Sequence, residues 1–473
     1  MSEERHEDHH MDVENKLNLN SKDDINGNTS ISIEVPDGGY GWFILLAFIL
    51  YNFSTWGANS GYAIYLAHYL ENNTFAGGSK LDYASIGGLA FSCGLFFAPV
   101  ITWLYHIFSI QFIIGLGILF QGAALLLAAF SVTLWEIYLT QGVLIGFGLA
   151  FIFIPSVTLI PLWFRNKRSL ASGIGTAGSG LGGIVFNLGM QSILQKRGVK
   201  WALIAQCIIC TSLSTIALML TRTTHQGLRQ HKRSYKFELL DYDVLSNFAV
   251  WLLFGFVSFA MLGYVVLLYS LSDFTVSLGY TSKQGSYVSC MVSVGSLLGR
   301  PIVGHIADKY GPLTVGMILH LVMAILCWAM WIPCKNLATA IAFGLLVGSI
   351  MGTIWPTIAS IVTRIVGLQK LPGTFGSTWI FMAAFALVAP IIGLELRSTD
   401  TNGNDYYRTA IFVGFAYFGV SLCQWLLRGF IIARDEIAVR EAYSADQNEL
   451  HLNVKLSHMS KCLFRYKQLP RRV

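Results

Sequence analysis

About twelve apolar stretches, each long enough to cross a bilayer, run through this 473-residue chain. Two signatures recur about 200 positions later in its second half. Pro155 is echoed by Pro356 and Gly175 by Gly376, both 201 positions on and at matching places in an apolar run. Pro301 answers Pro99 one position out of phase. Duplication of this kind in a membrane chain implies two pseudo-symmetric bundles around a shared midplane cavity, the plan of a secondary transporter.

The composition leaves no soluble alternative, with 54% hydrophobic residues, 12% charged and a mean hydropathy of +0.56, where a soluble domain has roughly a quarter of its residues charged. Backbone amides in lipid must be paired internally, so the spans are helices or a closed barrel, and unalternated runs of about 20 residues choose helices. The expected fold is an all-α membrane protein of twelve transmembrane helices in two six-helix bundles. The helices are placed at 41–70, 84–105, 110–130, 134–160, 170–195, 201–220, 248–273, 284–306, 313–332, 338–364, 372–396 and 408–432. Residues 1–36 are expected to form a disordered tail, 37–220 the first bundle, 221–247 a central loop, 248–432 the second bundle and 433–473 a second tail.

The formal charge of +6 does not mark a nucleic-acid partner, because the basic residues lie in loops and tails between apolar runs. With the amino terminus inside, the inner segments hold 22 of the 32 Lys and Arg and the outer loops eight, so both ends are expected to be cytoplasmic. The basic tail with Leu463, Phe464, Tyr466 and Leu469 either lies on an anionic leaflet or is simply solvated.

Enzymatic and cofactor chemistry find no support. Six of the eight cysteines sit inside apolar spans, where they act as small hydrophobes, and the C-x-x-C of Cys207 and Cys210 falls within a membrane helix. Gly173, Gly175 and Gly178 spell G-x-G-x-x-G without a preceding strand, so a dinucleotide site is not implied. The glycine-rich face from 173 to 183 instead lets a neighbouring backbone approach closely. His6, His9 and His10 lack a rigid scaffold, and no metal site or cofactor is expected. Pro155 and Pro356 bend their helices, as packing kinks or as gating hinges.

The stretch Arg300 to Gly311, R-P-I-V-G-H-I-A-D-K-Y-G, resembles the loop between helices 8 and 9 of the major facilitator superfamily. That resemblance implies a conformational latch in which Asp308, followed by Lys309, pairs with a basic group and helix amides in one state and releases in the other. The counterpart from Phe97 to Ser109 keeps Pro99 but has lost the charges, so a latch on one side only is implied. Two further segments are similar to the signatures of the monocarboxylate-transporter family. They are Asp37-Gly38-Gly39-Tyr40-Gly41-Trp42 before helix 1, and Lys167-Arg168-Ser169-Leu170-Ala171-Ser172-Gly173 before helix 5. The likeness covers nearly all of 37–432, and the fungal monocarboxylate-permease homologues look closest.

Arg300 is read as the one fixed positive charge well inside an apolar span. Burying it unpaired costs several kcal/mol, so it should face the cavity and meet an anion, unless it snorkels to water. In the family resembled, this Arg follows a proton-carrying Asp by one turn, and a Lys on helix 1 helps the anion bind. Here Ser296 and Asn59 stand at those places, and neither titrates near neutral pH. Glu395, Asp273, His68 and His320 could carry the proton instead, although each has an interfacial reading. Asn52, Tyr62, Tyr264, Tyr269, Trp355 and Trp379 could line the cavity.

The reading is therefore a transporter that moves a small organic solute, a monocarboxylate-like compound with or without protons, by alternating access. Its alternatives are a uniporter or exporter of a neutral or aromatic solute, and a non-transporting sensor on the same scaffold. Its partners are the solute and the lipid bilayer. The sequon Asn72-Asn73-Thr74 in an outer loop fits a secretory route to the plasma membrane, with a vacuolar or other internal membrane next.

Overall fold

The computed structural model of the chain describes residues 38–72, 74–75, 77–222, 242–367, 370–397, 405–440 and 454–465. The expected amino-terminal tail, Asp37, and Arg229 to Lys236 of the central loop fall outside the described residues.

Among the described residues there are twelve apolar helical spans, with one bent pair of helices counted as a single span. They are α1 (Gly41–Leu66), α2 (Lys80–Phe96 continued by Ala98–Ile107), α3 (Ile110–Ala128), α4 (Leu134–Trp163), α5 (Arg168–Arg197) and α6 (Val199–Leu220). The second half has α7 (Phe248–Ser277), α8 (Ser282–Tyr310), α9 (Pro312–Trp331), α10 (Leu337–Val366), α11 (Leu371–Glu395) and α12 (Tyr407–Arg440). A short helix, α13 (Leu456–Cys462), follows. The fold is the expected pair of six-helix bundles, in contact along α5 with α8 and α2 with α11. Twelve crossings return the chain to the face from which α1 starts, called here the tail side.

Local chemistry sets where the helices begin. Ser79 with Asp82 and Thr281 with Gln284 form capping boxes for α2 and α8, and Asn247 and Asn336 cap α7 and α10. Lys167 offers α5 no side-chain cap.

Several boundaries differ from the sequence expectation. The α2 span is bent by 44° at Phe97, with Pro99 in the first turn of its second segment, where the missing amide costs nothing. Asp308 and Lys309 lie in the last turn of α8 rather than in a loop, and Gly311, at φ 97°, makes the turn into α9. The α12 helix continues eight residues beyond 432. In that extension Arg434 donates to the Ile365 and Arg364 carbonyls at 2.9 and 2.8 Å, closing the end of α10, while Arg364 pairs with the buried Asp435. Arg300 is thus not the only buried arginine. Arg428 is 1% exposed and reaches Thr314 Oγ1 (2.9 Å) and the Arg465 carbonyl (2.7 Å) near the tail-side surface.

Two glycine faces of α5 account for its central place. Gly175, Gly178 and Gly182 lie against Phe48, Ile49 and Phe53 of α1, while Gly173, Gly180 and Gly183 lie against Arg300, Leu297 and Ser293 of α8. A Cβ at Gly180 would come within 2.7 Å of the Leu297 amide nitrogen, and one at Gly189 would meet nothing within 4 Å. We therefore expect Gly180→Val to lower transport at least tenfold by forcing α5 and α8 apart, with Gly189→Val close to wild type. Solute flux into vesicles at matched protein content measures both, and equal flux in the two variants would contradict close backbone packing as the reason for the glycines.

Candidate functional site

Between the bundles lies a cavity of about 100 Å³, room for about three waters at roughly 30 Å³ each. All five residues expected to bind solute line it: Asn59 of α1, Tyr264 of α7, Ser296 and Arg300 of α8 and Trp355 of α10. Asn52, Tyr62 and Tyr269 line it as well, whereas Trp379 lies behind Trp355, with ring centroids 6.3 Å apart and planes 18° from parallel. Trp56 was not anticipated. It stacks with Trp355 across the two bundles at 6.3 Å, and Phe153 stands edge-on to both rings at 5.5 and 5.9 Å. The site therefore has an aromatic wall and a polar floor.

Arg300 supplies the floor. It is 4% exposed, so the snorkelling alternative is set aside; its Nη1 donates to the Thr176 carbonyl at 2.6 Å and to the Ser179 hydroxyl, both on α5. Tyr264 also hydrogen-bonds to it. The α10 helix breaks between Met351 and Ile354, and Gly352 there makes the space, since a Cβ would lie 2.7 Å from Arg300 Nε. Among the described residues no carboxylate pairs with Arg300, and no Asp, Glu or His lines the cavity. Ser296 turns its hydroxyl to the Gly348 carbonyl at 3.1 Å.

A second recess of about 30 Å³ shares Asn59 and Tyr62 with the first and runs into the amino-terminal bundle among Gln121, Gln141 and Gln206. It faces the π-helical turns Phe53–Gly57 of α1 and Tyr138–Leu144 of α4, local distortions frequent at functional positions.

On the tail side polar contacts join the two bundles. Asp308 Oδ1 and Oδ2 accept the Ser169 and Leu170 amides at 2.9 and 2.8 Å, so the cap that Lys167 cannot give α5 comes from the other bundle. Arg168 adds a favourable charge beside that carboxylate. The Ser169 and Ser360 hydroxyls meet at 2.8 Å in the same seam. At the related seam between α2 and α11 a Cβ at Gly376 would lie 3.2 Å from Pro99 Cα, as one at Gly173 would lie 3.3 Å from Pro301 Cα. Lys309 takes no part, being exposed with its Nζ over the Tyr310 ring.

The signature residues are scaffolding. Gly39 has φ +61°, Gly41 abuts the Phe164 ring, and Trp42 meets that ring edge-on at 5.6 Å. Gly38 opens the turn, its carbonyl accepting the Gly41 amide at 3.1 Å. Arg168 donates to the Phe164 carbonyl at 3.2 Å, and Lys167 is exposed. The four alternative proton carriers lie outside the cavity. Asp273 is bound by Arg397 (2.7 Å) and Tyr406, Glu395 is exposed, and His68 sits beside Asn72 at the end of the first helix. His320 departs from its interfacial reading: it is buried between α9 and α12, its Nδ1 2.7 Å from the Gly316 carbonyl and 2.9 Å from Gln424 Oε1. Asn72 is exposed, as an acceptor sequon requires.

The chain belongs to the Major Facilitator Superfamily, whose model matches residues 44–393. It is 99% identical, over the full length of both chains, to a Saccharomyces cerevisiae protein described as probable transporter MCH2. It is 30% identical to the uncharacterized transporter ESBP6 of the same organism over 87% of this chain and 62% of that one, and 27% identical to the MFS-type transporter opdF of Penicillium oxalicum over 81% and 89%. Two solved transporters share the fold. FucP in the outward conformation aligns over 81% of this chain and 98% of its own with a TM-score of 0.61 at 16% identity. The proton:xylose symporter XylE aligns over 82% and 94% with a TM-score of 0.62 at 13% identity.

Removal of the Asp308 carboxylate leaves two amides of α5 uncapped, a loss of about 1–2 kcal/mol from the closed seam. We expect Asp308→Ala to raise the rate at which a cysteine placed at Ser360 reacts with an impermeant thiol reagent by roughly five- to thirtyfold. An unchanged rate would show that the contact does not hold the seam.

Proposed function

We propose that this major facilitator protein carries small organic solutes with a single carboxylate, the charged end meeting Arg300 and the apolar body resting against Trp56, Trp355 and Phe153. One observation carries the reading: a buried guanidinium at the cavity floor has two neutral acceptors from α5 and no carboxylate among the described residues. A fixed charge so placed attracts an anion, and a planar carboxylate fits its donors.

Arg300 belongs to the carboxyl-terminal bundle and grips α5 of the amino-terminal one. A solute carboxylate competing for its donors loosens that grip, and this links loading to the rocking of segments 37–220 and 248–432 about the site. Because no lining group titrates near neutral pH, protons are not carried by the site itself, and the solute moves as its anion. This departs from the proton symport that the monocarboxylate-transporter resemblance implies. A second reading, a neutral or aromatic solute stacked between Trp56 and Trp355, draws on the Thr176 and Ser179 bonds that already occupy part of Arg300. Both ends are proposed to be cytoplasmic, in the plasma membrane, with Asn72 as the glycan acceptor.

Uptake of lactate, pyruvate, and neutral and aromatic solutes into proteoliposomes at external pH 5.5 and 7.5 tests this directly. Monocarboxylate uptake should fall at least tenfold in Arg300→Ala, about 1.4 kcal/mol or more, and change little between the two pH values once the anion concentration is matched. Undiminished uptake in that variant would remove Arg300 from the site, and a steep rise at the lower pH would restore proton coupling.

A further inference from the structure

Away from the transport cavity, Glu436, His458 and Cys462 each bring one ligating atom within 4.8 Å of the others. Glu436 lies in the extension of α12, and His458 and Cys462, four apart on α13, project from one face of that helix. His458 Nε2 is 3.1 Å and Cys462 Sγ 3.7 Å from the same oxygen, Glu436 Oε2. A tetrahedron with zinc–ligand bonds of about 2.0–2.3 Å has edges of about 3.3–3.7 Å, so little movement would bring the three atoms onto one ion.

The arrangement is held independently of any ion. Met459 and Cys462 are buried, Trp425 Nε1 donates to the Leu463 carbonyl at 3.1 Å, Arg428 donates to the Arg465 carbonyl at 2.7 Å, and Gly429 leaves room for Leu463. Arg465 holds Glu436 Oε1, which leaves Oε2 turned toward the histidine and cysteine and fixes the carboxylate as an outer hydrogen bond does in metal sites. The thiol therefore points at a carboxylate rather than an apolar wall, and its thiolate would be stabilised by a cation placed between them.

We propose that Glu436, His458 and Cys462 form a binding site for a zinc-class divalent ion, with water in the fourth position, which fastens α13 to the end of α12. One sulfur, one imidazole nitrogen and one carboxylate oxygen suit zinc over magnesium or calcium, which take oxygen donors.

The test is cobalt(II) titration of the purified full-length protein in detergent. The expected result is a thiolate-to-cobalt absorption band that saturates at one equivalent and is displaced by zinc. Cys462→Ser should abolish the band, and His458→Ala should weaken affinity at least tenfold. Cys334→Ser and Arg465→Gln should keep the band, the latter because a ligand set survives loss of an ion-pair partner. Size-exclusion elution checks that each variant is folded, and where Cys462→Ser is not, the His458→Ala affinity decides. A wild-type protein without the thiolate band, a band that survives Cys462→Ser, or unchanged affinity in His458→Ala would overturn the proposal.

Discussion

A guanidinium that cannot give up its proton is buried where two lipid-embedded bundles meet, and much of the surrounding structure follows from accommodating it. Arginine keeps its charge in any protein setting, so its burial has to be offset by acceptors rather than by neutralisation. The Thr176 carbonyl and Ser179 hydroxyl serve on one side. On the other, α10 interrupts its helix and uses Gly352 so that no side chain collides with Arg300 Nε. What remains is an anion-attracting floor beneath an aromatic wall.

The same residue lies at the contact between the bundles that must change during transport. Hydrophobic burial gives little drive for helices to associate in lipid, so close backbone approach and a few polar contacts have to hold α5 to α8. Gly173 and Gly180 provide the approach, and Asp308 provides the polar contact by capping α5 from the opposite bundle. Such a seam is weak enough to open, because each element of it contributes on the order of 1 kcal/mol. Arg300 is one turn of α8 from Gly304, which packs on the Ser169 carbonyl, so the proposed site and the seam share one rigid helix.

The fold was legible because a bilayer leaves helices few freedoms: every span announced itself by length and apolarity, and the bundle repeat by Pro155 with Pro356. Arg300, Asn59, Ser296, Tyr264 and Trp355 were legible as polar or amphipathic side chains within such runs. Trp56 was not, since a tryptophan in a span reads equally as a membrane-belt residue. The π-helical turns in α1 and α4 carry no proline to mark them. Asp308 was legible as a latch onto helix amides, and the structure adds which ones: those of Leu170 and Ser169, 138 and 139 positions away. Arg434 and Asp435 were read as tail residues because charge normally ends a span; here they end α10 instead. Glu436, His458 and Cys462 follow no familiar metal spacing, and only the return of α13 onto α12 joins them.

The central claim, that Arg300 recognises the solute's carboxylate, is met most directly by equilibrium binding of an isosteric pair to the purified protein. Pyruvate and its neutral amide differ in charge while keeping nearly the same shape. The account predicts that pyruvate raises the thermal unfolding midpoint of the wild-type protein progressively as its concentration rises through Kd, that the amide does not, and that Arg300→Gln loses the difference. Equal stabilisation by both compounds, or a preference for the anion that persists in Arg300→Gln, would contradict it.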